Sequence, residues 1–366
     1  MTRGRTPPDT ALLLGVAALL ALGLVMVLSS SSVTAGVGLN DPYYFFKRQL
    51  MWVVVGGIGF YVCLRVDYWY WRRLAPWILA ATLVLLVAVL VPHIGRNVNG
   101  ARRWLGVGSA TFQPSELAKL TMVVYVAAWL TTRGAERIAR FSRTALPVLL
   151  MVGAVAFLIL REPDLGTAAS LAATALVMLY AVGVPLGQFI AMLGLAVPVL
   201  AAAIFTSTYR RNRLLAFLNP QAHPQESGYH ILQALYALGS GGIFGVGLGQ
   251  SRQKYFYLPE EHTDSIFAIL GEELGLVGGL LVLGLFALVV WRGFRIAANA
   301  PDLFGTLLAA GLTTMLAIQA IVNIGVVTGV LPVTGIPLPL ISYGGSSLVF
   351  TMAAIGMLAN ISTHAR

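Results

Sequence analysis

Charged residues are scarce in this chain: Asp, Glu, Lys and Arg make up only 10% of its 366 residues. Hydrophobic residues reach 58%, and the mean hydropathy is +0.82. The length alone would allow two or three soluble domains, but long apolar runs recur along the whole chain. The composition therefore excludes an ordinary soluble enzyme and indicates a polytopic membrane protein.

Cysteine is almost absent as well. Cys63 is the single cysteine and lies in an apolar run, so it cannot form an internal disulfide and is expected to pack as a small core hydrophobe. The chain also lacks a P-loop, an HExxH motif and the Cys/His spacing of a metal site. GVGLG at 245–249 follows no strand that would open a βαβ unit, so it is not a dinucleotide-binding loop.

The apolar runs predict ten transmembrane helices, because a helix satisfies every backbone polar group within its own segment. We therefore expect an all-α fold that forms a single integral membrane domain over residues 1–366. The one long connection is 206–263, and its apolar, Gly-rich residues 230–247 are typical of an interfacial or re-entrant segment. The predicted spans are residues 11–32, 48–64, 75–92, 112–131, 145–161, 165–182, 185–205, 264–291, 304–328 and 338–360.

Arginines in alternate short loops set the predicted orientation. The positive-inside rule assigns these loops to the cytoplasm, which places both termini inside and loop 206–263 outside. Ten of the 14 acidic residues then fall on the outer side, where topology does not explain them. The arginines concerned are Arg3, Arg5, Arg65, Arg72, Arg73, Arg133, Arg137, Arg140, Arg143, Arg292 and Arg295.

Five polar motifs all fall on that outer side. Their convergence predicts an outward-facing polar cavity, lined by predicted spans two, four, eight and ten and by loop 206–263. The alternative is a set of solvated loop faces with an aromatic belt. The motifs are DPYYFFKRQL (41–50), GARRWLGVGSATFQPSELAK (100–119), REPDLGTA (161–168), YLPEEHTDSIFAILGEELG (257–275) and PLPLISYGGSSL (337–348).

Two of these motifs place charge inside predicted spans. Glu116 and Lys119 are three residues apart after Pro114, so they can pair on one helix face, either as a structural ion pair or as part of a cavity. Thr263 or Asp264 is well placed to cap predicted span eight. Glu272, eight residues further along the same face, is an intramembrane acid and hence a functional candidate. His262 is open to three interpretations: ligand, proton carrier or surface histidine.

The outer face of a membrane has no ATP, so bond formation there requires a substrate that carries its own leaving group. A polyprenyl-pyrophosphate-linked sugar fits this requirement. Its tail suits the helix bundle, its dianion suits the arginines, and its sugar suits a carboxylate that exchanges protons.

These motifs together resemble the SEDS family (shape, elongation, division and sporulation; the FtsW and RodA type) over nearly the full length. DPYYFFKRQ and KYFYLPEEHTD are more similar to the division-type than to the elongation-type branch, and the role in division or elongation stays undecided. Family members commonly have TDFIF where this chain has Ser265, which we interpret as a tolerated packing variation. The family's essential aspartate falls on Asp264, and its ion pair falls on Glu116 and Lys119.

The resemblance implies a peptidoglycan glycosyltransferase that polymerises lipid II at the outer face of the bacterial plasma membrane, with Asp264 as the general base. A helix N-terminus would favour the ionised base and weaken it, whereas burial or Glu260, Glu261 and Glu272 would raise its pKa. The predicted substrate-binding residues are Arg48, Arg103, Glu116, Lys119, Asp164, Arg213, Arg252, Lys254, His262, Glu272, Ser342 and Tyr343.

The implied partners are lipid II, the growing glycan strand, a class B penicillin-binding protein and other proteins of the cell-wall complex, with no nucleic acid. No cofactor is assigned, and a role for a divalent cation such as magnesium or manganese stays open. Two rival functions are a lipid II flippase, for which Gln319 and Asn323 in predicted span nine are modest hints, and a non-catalytic scaffold of the cell-wall complex.

Overall fold

The structure, a computed structural model, describes residues 7–98, 101–107, 110–132, 140–222 and 227–365. Within these ranges the chain forms twelve α-helices and three short strands. The helices are α1 (Thr10–Leu39), α2 (Tyr44–Arg65), α3 (Tyr68–Leu90), α4 (Pro114–Thr131), α5 (Ala145–Arg161), α6 (Leu165–Ala181), α7 (Leu186–Phe205), α8 (Thr208–Leu218), α9 (Ser227–Gly241), α10 (Ile266–Asn299), α11 (Leu303–Val327) and α12 (Gly345–Ser362); the strands are β1 (Arg96–Val98), β2 (Ala101–Val107) and β3 (Ala110–Phe112).

Each predicted span corresponds to one helix, namely α1–α7 and α10–α12 in order. Six of these helices are long and apolar enough to cross a membrane: α1, α3, α7, α10, α11 and α12. The apolar α5 and α6 have 17 residues each, slightly fewer than the ~20 needed to cross the hydrocarbon core. The all-α architecture is thus confirmed, and the count of ten crossings stays a prediction. Of the arginines used for orientation, Arg3, Arg5, Arg133 and Arg137 lie outside the described residues.

The helices pack around α4, α11 and α12, whose residues are mostly buried. Helix α12 lies along α2, and α11 contacts α4, α6 and α10. Small residues such as Gly, Ala, Ser and Thr are frequent in α11 and α12, and they allow helix backbones to approach closely. The core of the bundle therefore depends on close packing of the last two helices.

Acidic residues define the starts of several helices. Asp9 accepts a hydrogen bond from Leu12 N at 2.9 Å and caps α1. Asp302 caps α11 in the same way, accepting from Gly305 N at 2.9 Å. Each such cap contributes about 1 kcal/mol by satisfying a free N–H group at the helix end. Helix α4 begins at Pro114, as predicted.

Helix α10 is broken at Gly275, where φ is 66° and ψ is −164°. The segment 242–247 inserts at the break, so that Val246 N and Gly247 N each donate at 3.0 Å to the carbonyls of Glu272 and Glu273. In return, Leu276 N and Val277 N donate to the carbonyls of Gly242 and Ile243, at 2.9 and 3.1 Å. All four interrupted backbone groups are satisfied, which a broken helix at membrane depth requires.

The five polar motifs meet at one end of the bundle, as predicted. A three-stranded antiparallel sheet, which was not predicted, carries part of the second motif there, with β2 between β1 and β3. The hydrogen bonds that join the motifs are Gln49 Nε2 to Ser342 O (3.2 Å), Gln113 N to Ser346 Oγ (3.1 Å), Arg103 Nε to Glu162 O (2.8 Å) and Tyr343 N to His262 O (2.9 Å).

The long connection 206–263 is more ordered than a loop. It contains α8, a short 3-10 turn at Pro220–Ala222, and α9. Helix α9 covers much of the apolar segment 230–247 that was expected to be interfacial or re-entrant, and it packs against α10. The connection therefore forms a helical layer over the end of the bundle where the motifs meet.

Candidate active site

Asp264 lies at the end of the acidic segment, two residues before α10 begins at Ile266. Ser265 occupies the cap position, and no side chain caps this helix. The prediction that Asp264, or Thr263 beside it, caps the helix is therefore wrong, because the chain is not yet helical at 264. Within the described residues the half-buried Asp264 carboxyl makes no hydrogen bond or ion pair.

The main chain around Asp264 is held at three consecutive carbonyls. Tyr343 N donates to the His262 carbonyl at 2.9 Å. Ser342 Oγ donates to the Thr263 carbonyl at 2.6 Å, and Asn323 Nδ2 donates to the Asp264 carbonyl at 2.8 Å. The backbone of the aspartate is thus fixed while its carboxylate stays available.

The surroundings of Asp264 raise its pKa to about 7. Burial is the largest cause, and the charges of Glu260 and Asp164 act in the same direction. The cations Arg213 and Arg103 oppose the shift. Of the expected neighbours, Glu260 is among the main causes of the shift, whereas Glu261 and Glu272 are not; Asp164 was not expected. A carboxylate with this pKa can take up a proton near neutral pH.

Two arginines approach this site from different elements. Arg103 on β2 donates from Nε to the Glu162 carbonyl at 2.8 Å and from Nη2 to the Pro163 carbonyl at 2.6 Å. Arg213 on α8 donates from Nη1 to the Val333 carbonyl at 3.2 Å, and its guanidinium lies 4.4 Å from the centre of the Tyr209 ring. Burial lowers the pKa of Arg213.

A cavity of about 50 Å³ opens beside Arg213, which is room for roughly three to five water molecules. None of its described lining residues is acidic. Arg210 and Thr334 are among its lining residues. The Arg210 Nη groups donate to the Ala203 and Leu160 carbonyls, whereas the buried Arg210 Nε and Thr334 Oγ1 have no hydrogen-bond partner in the described part of the chain. The cavity is lined by the α5–α6 turn, α6, the end of α7, α8 and 332–334. Of the predicted lining, only loop 206–263 contributes, through α8; predicted spans two, four, eight and ten do not line this cavity. The lining residues are Pro163, Leu165, Gly166, Ile204, Tyr209, Arg210, Arg213, Leu214, Pro332, Val333 and Thr334.

Two acids share the turn between α5 and α6. Asp164 caps α6 by accepting from Thr167 N at 3.0 Å and from Thr167 Oγ1 at 2.9 Å. Glu162 was not among the predicted site residues. Its side chain is fully buried, neither carboxyl oxygen has a hydrogen-bond partner in the described part of the chain, and burial, followed by the charge of Asp164, raises its pKa to about 9.

Glu116 and Lys119 form the predicted ion pair in the first turns of α4. Lys119 Nζ lies 2.9 Å from Glu116 Oε1, and both side chains are at least 95% buried. Lys119 also lines a cavity of about 10 Å³ with Ser170 and Thr174 of α6. The pair is confirmed as a buried contact, and its role in substrate binding stays a prediction.

Comparison with known proteins identifies the family. The chain matches the FTSW_RODA_SPOVE family, described as a cell cycle protein family, over residues 10–366. The chain belongs to this family. It is 44% identical to "Stage V sporulation protein E" of Bacillus subtilis over the full length of both proteins. It is also 44% identical to "Probable peptidoglycan glycosyltransferase FtsW" of Trichlorobacter lovleyi, over 97% of this chain and 93% of the relative.

Two solved structures support the same assignment. A chain from a structure described as "Structural coordination of polymerization and crosslinking by a peptidoglycan synthase complex" superposes with a TM-score of 0.81 at 33% identity, covering 97% of both chains. The crystal structure of the Thermus thermophilus rod shape determining protein RodA gives a TM-score of 0.72 at 31% identity, covering 98% of this chain and 96% of that one. This member of the FTSW_RODA_SPOVE family is thus a multi-pass membrane protein.

Three predicted residues of this family member form a separate cluster under α10. Glu272 accepts from Ser251 Oγ and from Arg252 N at 3.0 Å. Lys254 Nζ donates to the Gly249 carbonyl at 2.6 Å and lies 3.3 Å from Glu273 Oε1. The expectation that Glu272 shares a helix face with Asp264 is wrong, because the helix begins after Asp264. Glu272 and Lys254 fasten the segment 249–254, and Arg252 takes part through its backbone.

The remaining predicted residues lie near the acidic segment. His262 packs against Phe45 and Tyr343, with ring centres 4.3 and 5.6 Å away, and its Nδ1 lies 3.5 Å from Glu261 Oε1. Arg48 Nη1 donates to the Tyr44 hydroxyl at 2.9 Å. Within the described residues, no group of three or more His, Cys, Asp or Glu side chains is placed to hold a metal ion.

Sequence reasoning missed the functions of two polar residues. In the sequence, Asn323 was a modest hint of a lipid II flippase. In the structure, its amide donates at 2.8 Å to both the Asp264 and the Ile336 carbonyls. Ser265 was interpreted as a tolerated packing variation, and the structure adds that its buried hydroxyl makes hydrogen bonds to His230 and Pro259. The sequence did contain a signal for each residue. Asn323 is a polar residue inside an apolar helix, and Ser265 is a polar residue where the family commonly has phenylalanine.

Proposed function

We propose that this chain polymerises lipid II into glycan strands as a peptidoglycan glycosyltransferase, with Asp264 as the general base. The names of its full-length relatives support the activity. The observation that carries the site is the Asp264 carboxyl itself. It has no hydrogen bond to the described residues, and its pKa is about 7. The main chain of 262–264 is held at three consecutive carbonyls.

In the proposed reaction, the 4-hydroxyl of the acceptor sugar attacks the anomeric carbon of the donor. Asp264 takes the hydroxyl proton as the new C–O bond forms, and the bond to undecaprenyl pyrophosphate breaks with its electron pair on the departing oxygen. Positioned general bases typically contribute 10²–10⁴-fold to the rate, and a pKa near the working pH suits this role.

The basic cavity fits the departing pyrophosphate. Arg210 and Arg213 line it, no described lining residue is acidic, and Arg210 Nε and Thr334 Oγ1 are unpartnered in the described part of the chain. Donors in a partly dehydrated cavity stabilise negative charge as it develops. Thr334 precedes Gly335, and a Cβ built on Gly335 would lie 3.2 Å from Asp264 Oδ2. Base and anion site are therefore adjacent along one segment.

The wider setting is proposed from the same resemblance. The active-site end faces outward at the plasma membrane, both termini lie in the cytoplasm, and a class B penicillin-binding protein is the partner that cross-links the product. One solved structure similar to this chain belongs to a peptidoglycan synthase complex. The arginines described at the opposite end of the bundle, such as Arg292 and Arg295, agree with this orientation.

Reconstitution separates this proposal from its two rivals. Purified protein with its penicillin-binding partner is mixed with lipid II in detergent, and glycan products are resolved on a gel; in parallel, lipid II is placed in vesicles and its transfer between leaflets is measured. The proposal predicts glycan chains. Transfer without polymerisation would identify a flippase, and partner binding with neither activity would identify a scaffold.

A further inference from the structure

The Ser265 side chain makes two hydrogen bonds immediately after Asp264. It is fully buried, and its Oγ lies 3.0 Å from the Pro259 carbonyl and 2.8 Å from His230 Nε2. A carbonyl can only accept, so the hydroxyl proton goes to Pro259. The Ser265 oxygen must then accept from His230, which places a proton on His230 Nε2.

His230 is therefore a fixed donor on α9. Burial, followed by the charge of Arg213, lowers its pKa to about 4, so the imidazole is neutral at physiological pH and has one proton. That proton is on Nε2, and the buried Nδ1 has no hydrogen-bond partner in the described part of the chain. A neutral imidazole has a single N–H donor, and in His230 that donor faces Ser265.

The contact joins two parts of the chain that are far apart in sequence. His230 belongs to α9 in the long outer connection, and Ser265 follows Asp264 at the entrance to α10. Asn323 holds the Asp264 carbonyl from a third element, α11. A side chain without a hydroxyl at position 265 could make neither bond, so the serine hydroxyl is what ties this segment to α9.

We propose that Ser265 and His230 are positioning residues for Asp264, which connect α9 to the segment that carries the base. This inference rests on the proposed function, in which Asp264 takes the acceptor proton. Neither residue exchanges a proton with substrate; together they keep the carboxylate within reach of the sugar hydroxyl. Misplacing a catalytic group by about 1 Å can lower a rate ~10²-fold, so loss of the pair should slow turnover more than it weakens substrate binding.

Two pairs of variants test the proposal in the purified complex. Ser265→Ala removes both hydrogen bonds, and His230→Phe removes the donor; each should lower kcat by roughly 10- to 100-fold and change KM by less than about 2-fold. Ser265→Thr and His230→Gln keep the hydroxyl and an N–H donor, and should retain most of the turnover. The double variant Ser265→Ala/His230→Phe should lose no more than the worse single variant, since both act through one contact.

Hydrogen–deuterium exchange provides a readout that does not depend on activity. Ser265→Ala should increase exchange both in 259–266 and in 227–241. Ser240→Ala is the matched control, because Ser240 lies on the same helix α9 and its hydroxyl donates only to the Ala237 carbonyl, at 2.9 Å. It should leave turnover and the exchange of 259–266 at wild-type values.

Three results would overturn the proposal: wild-type kcat for Ser265→Ala, full activity for Ser265→Phe, or unchanged exchange in both segments. Failure of the proposed function would give a different result, because the wild-type protein would then make no glycan. Hydrogen–deuterium exchange would still test the Ser265–His230 contact in that case.

Discussion

At the scale of the residue, the main feature is Asp264, whose main chain is fixed by hydrogen bonds while its carboxyl makes none to the described residues. Asn323, Ser342 and the backbone of Tyr343 bind the three carbonyls up to Asp264. Burial and Glu260 raise the pKa of Asp264 to about 7 against the effect of Arg213. A base with this pKa is partly ionised at neutral pH and still basic enough to accept a proton.

This pKa predicts the pH dependence of polymerisation. The base must be ionised to act, so the rate should rise as pH increases through about 7 and level off above it. Glu260→Gln removes a negative charge that raises the pKa of Asp264, and the rise should therefore move to lower pH. The measurement is kcat as a function of pH for the wild type and the variant.

Asp41→Asn is the control for this shift, since Asp41 is an acid paired with Lys47 at the surface and is not among the main causes of the Asp264 shift. Its profile should superpose on that of the wild type. A rate that is independent of pH from 5 to 9, or an equal shift in both variants, would count against Asp264 as the titrating base.

The Glu116–Lys119 pair predicts an asymmetry between single and double variants. Glu116→Ala leaves the buried Lys119 ammonium without its partner, and breaking a buried pair typically costs about 3–5 kcal/mol. Glu116→Leu/Lys119→Met removes both charges and should melt closer to the wild type. Thermal melts of the purified proteins test this. A stable but inactive double variant would assign the pair to substrate, and a single variant as stable as the wild type would contradict its burial.

At the scale of the element, α10 and the segment 242–247 form one unit. The break at Gly275 leaves two carbonyls and two N–H groups without helical partners, and the backbone of the segment satisfies all four. Both glycines at the contact are required, because a Cβ on Gly275 would lie 2.3 Å from Gly245 N and one on Gly245 would lie 2.2 Å from Glu273 O. The break thus anchors the segment 242–247 to α10.

Gly275→Ala should therefore lower both the melting temperature and the polymerisation rate, since it adds a clash at a backbone with positive φ. Gly284→Ala is the matched control in the same helix, because a Cβ there meets nothing within 4 Å. Alanine is favoured over glycine in a helix by about 1 kcal/mol, so the control should melt at or above the wild-type temperature. Equal behaviour of the two variants would contradict the account of the break.

The sequence was most informative where apolar length decides the structure, and least informative at the ends of the elements. Apolar runs predicted every long helix, because burial from water requires them. The T-D pair suggested a helix start at 264, but the hydrogen bonds that fix 262–264 come from α11 and the α11–α12 connection, far away in sequence. Residues 338–344 were included in predicted span ten, yet they are irregular, and α12 begins at Gly345.

At the scale of the whole molecule, the bundle has a polar end with the candidate site and an opposite end with the described arginines of the short loops. That opposite end is fastened by its own contacts, such as the Arg292–Asp9 ion pair and the bond from Asn360 Nδ2 to the Leu64 carbonyl at 2.7 Å. Helix α10 and the start of α1 meet there. The proposed orientation places this end in the cytoplasm.

The single cysteine makes this orientation testable. Cys63 is 5% exposed, so the wild-type protein should react little with a membrane-impermeant maleimide. Gln221→Cys, in the outer connection, should be labelled on intact cells. Asn299→Cys, at the end of α10, should be labelled only after the membrane is opened. The reverse pattern would invert the topology, and labelling of both on intact cells would contradict separate faces.

The most direct test of the central claim is lipid II polymerisation by Asp264→Asn protein in complex with its partner. Asparagine keeps the size of the side chain and cannot take the acceptor proton. If Asp264 is the base, the variant should melt and bind its partner like the wild type and polymerise on the order of 10²–10⁴-fold more slowly. Asp264→Glu should recover little, because the extra methylene moves the carboxylate by about 1 Å. Near-wild-type polymerisation by a well-folded Asp264→Asn protein would contradict the assignment of Asp264 as the base.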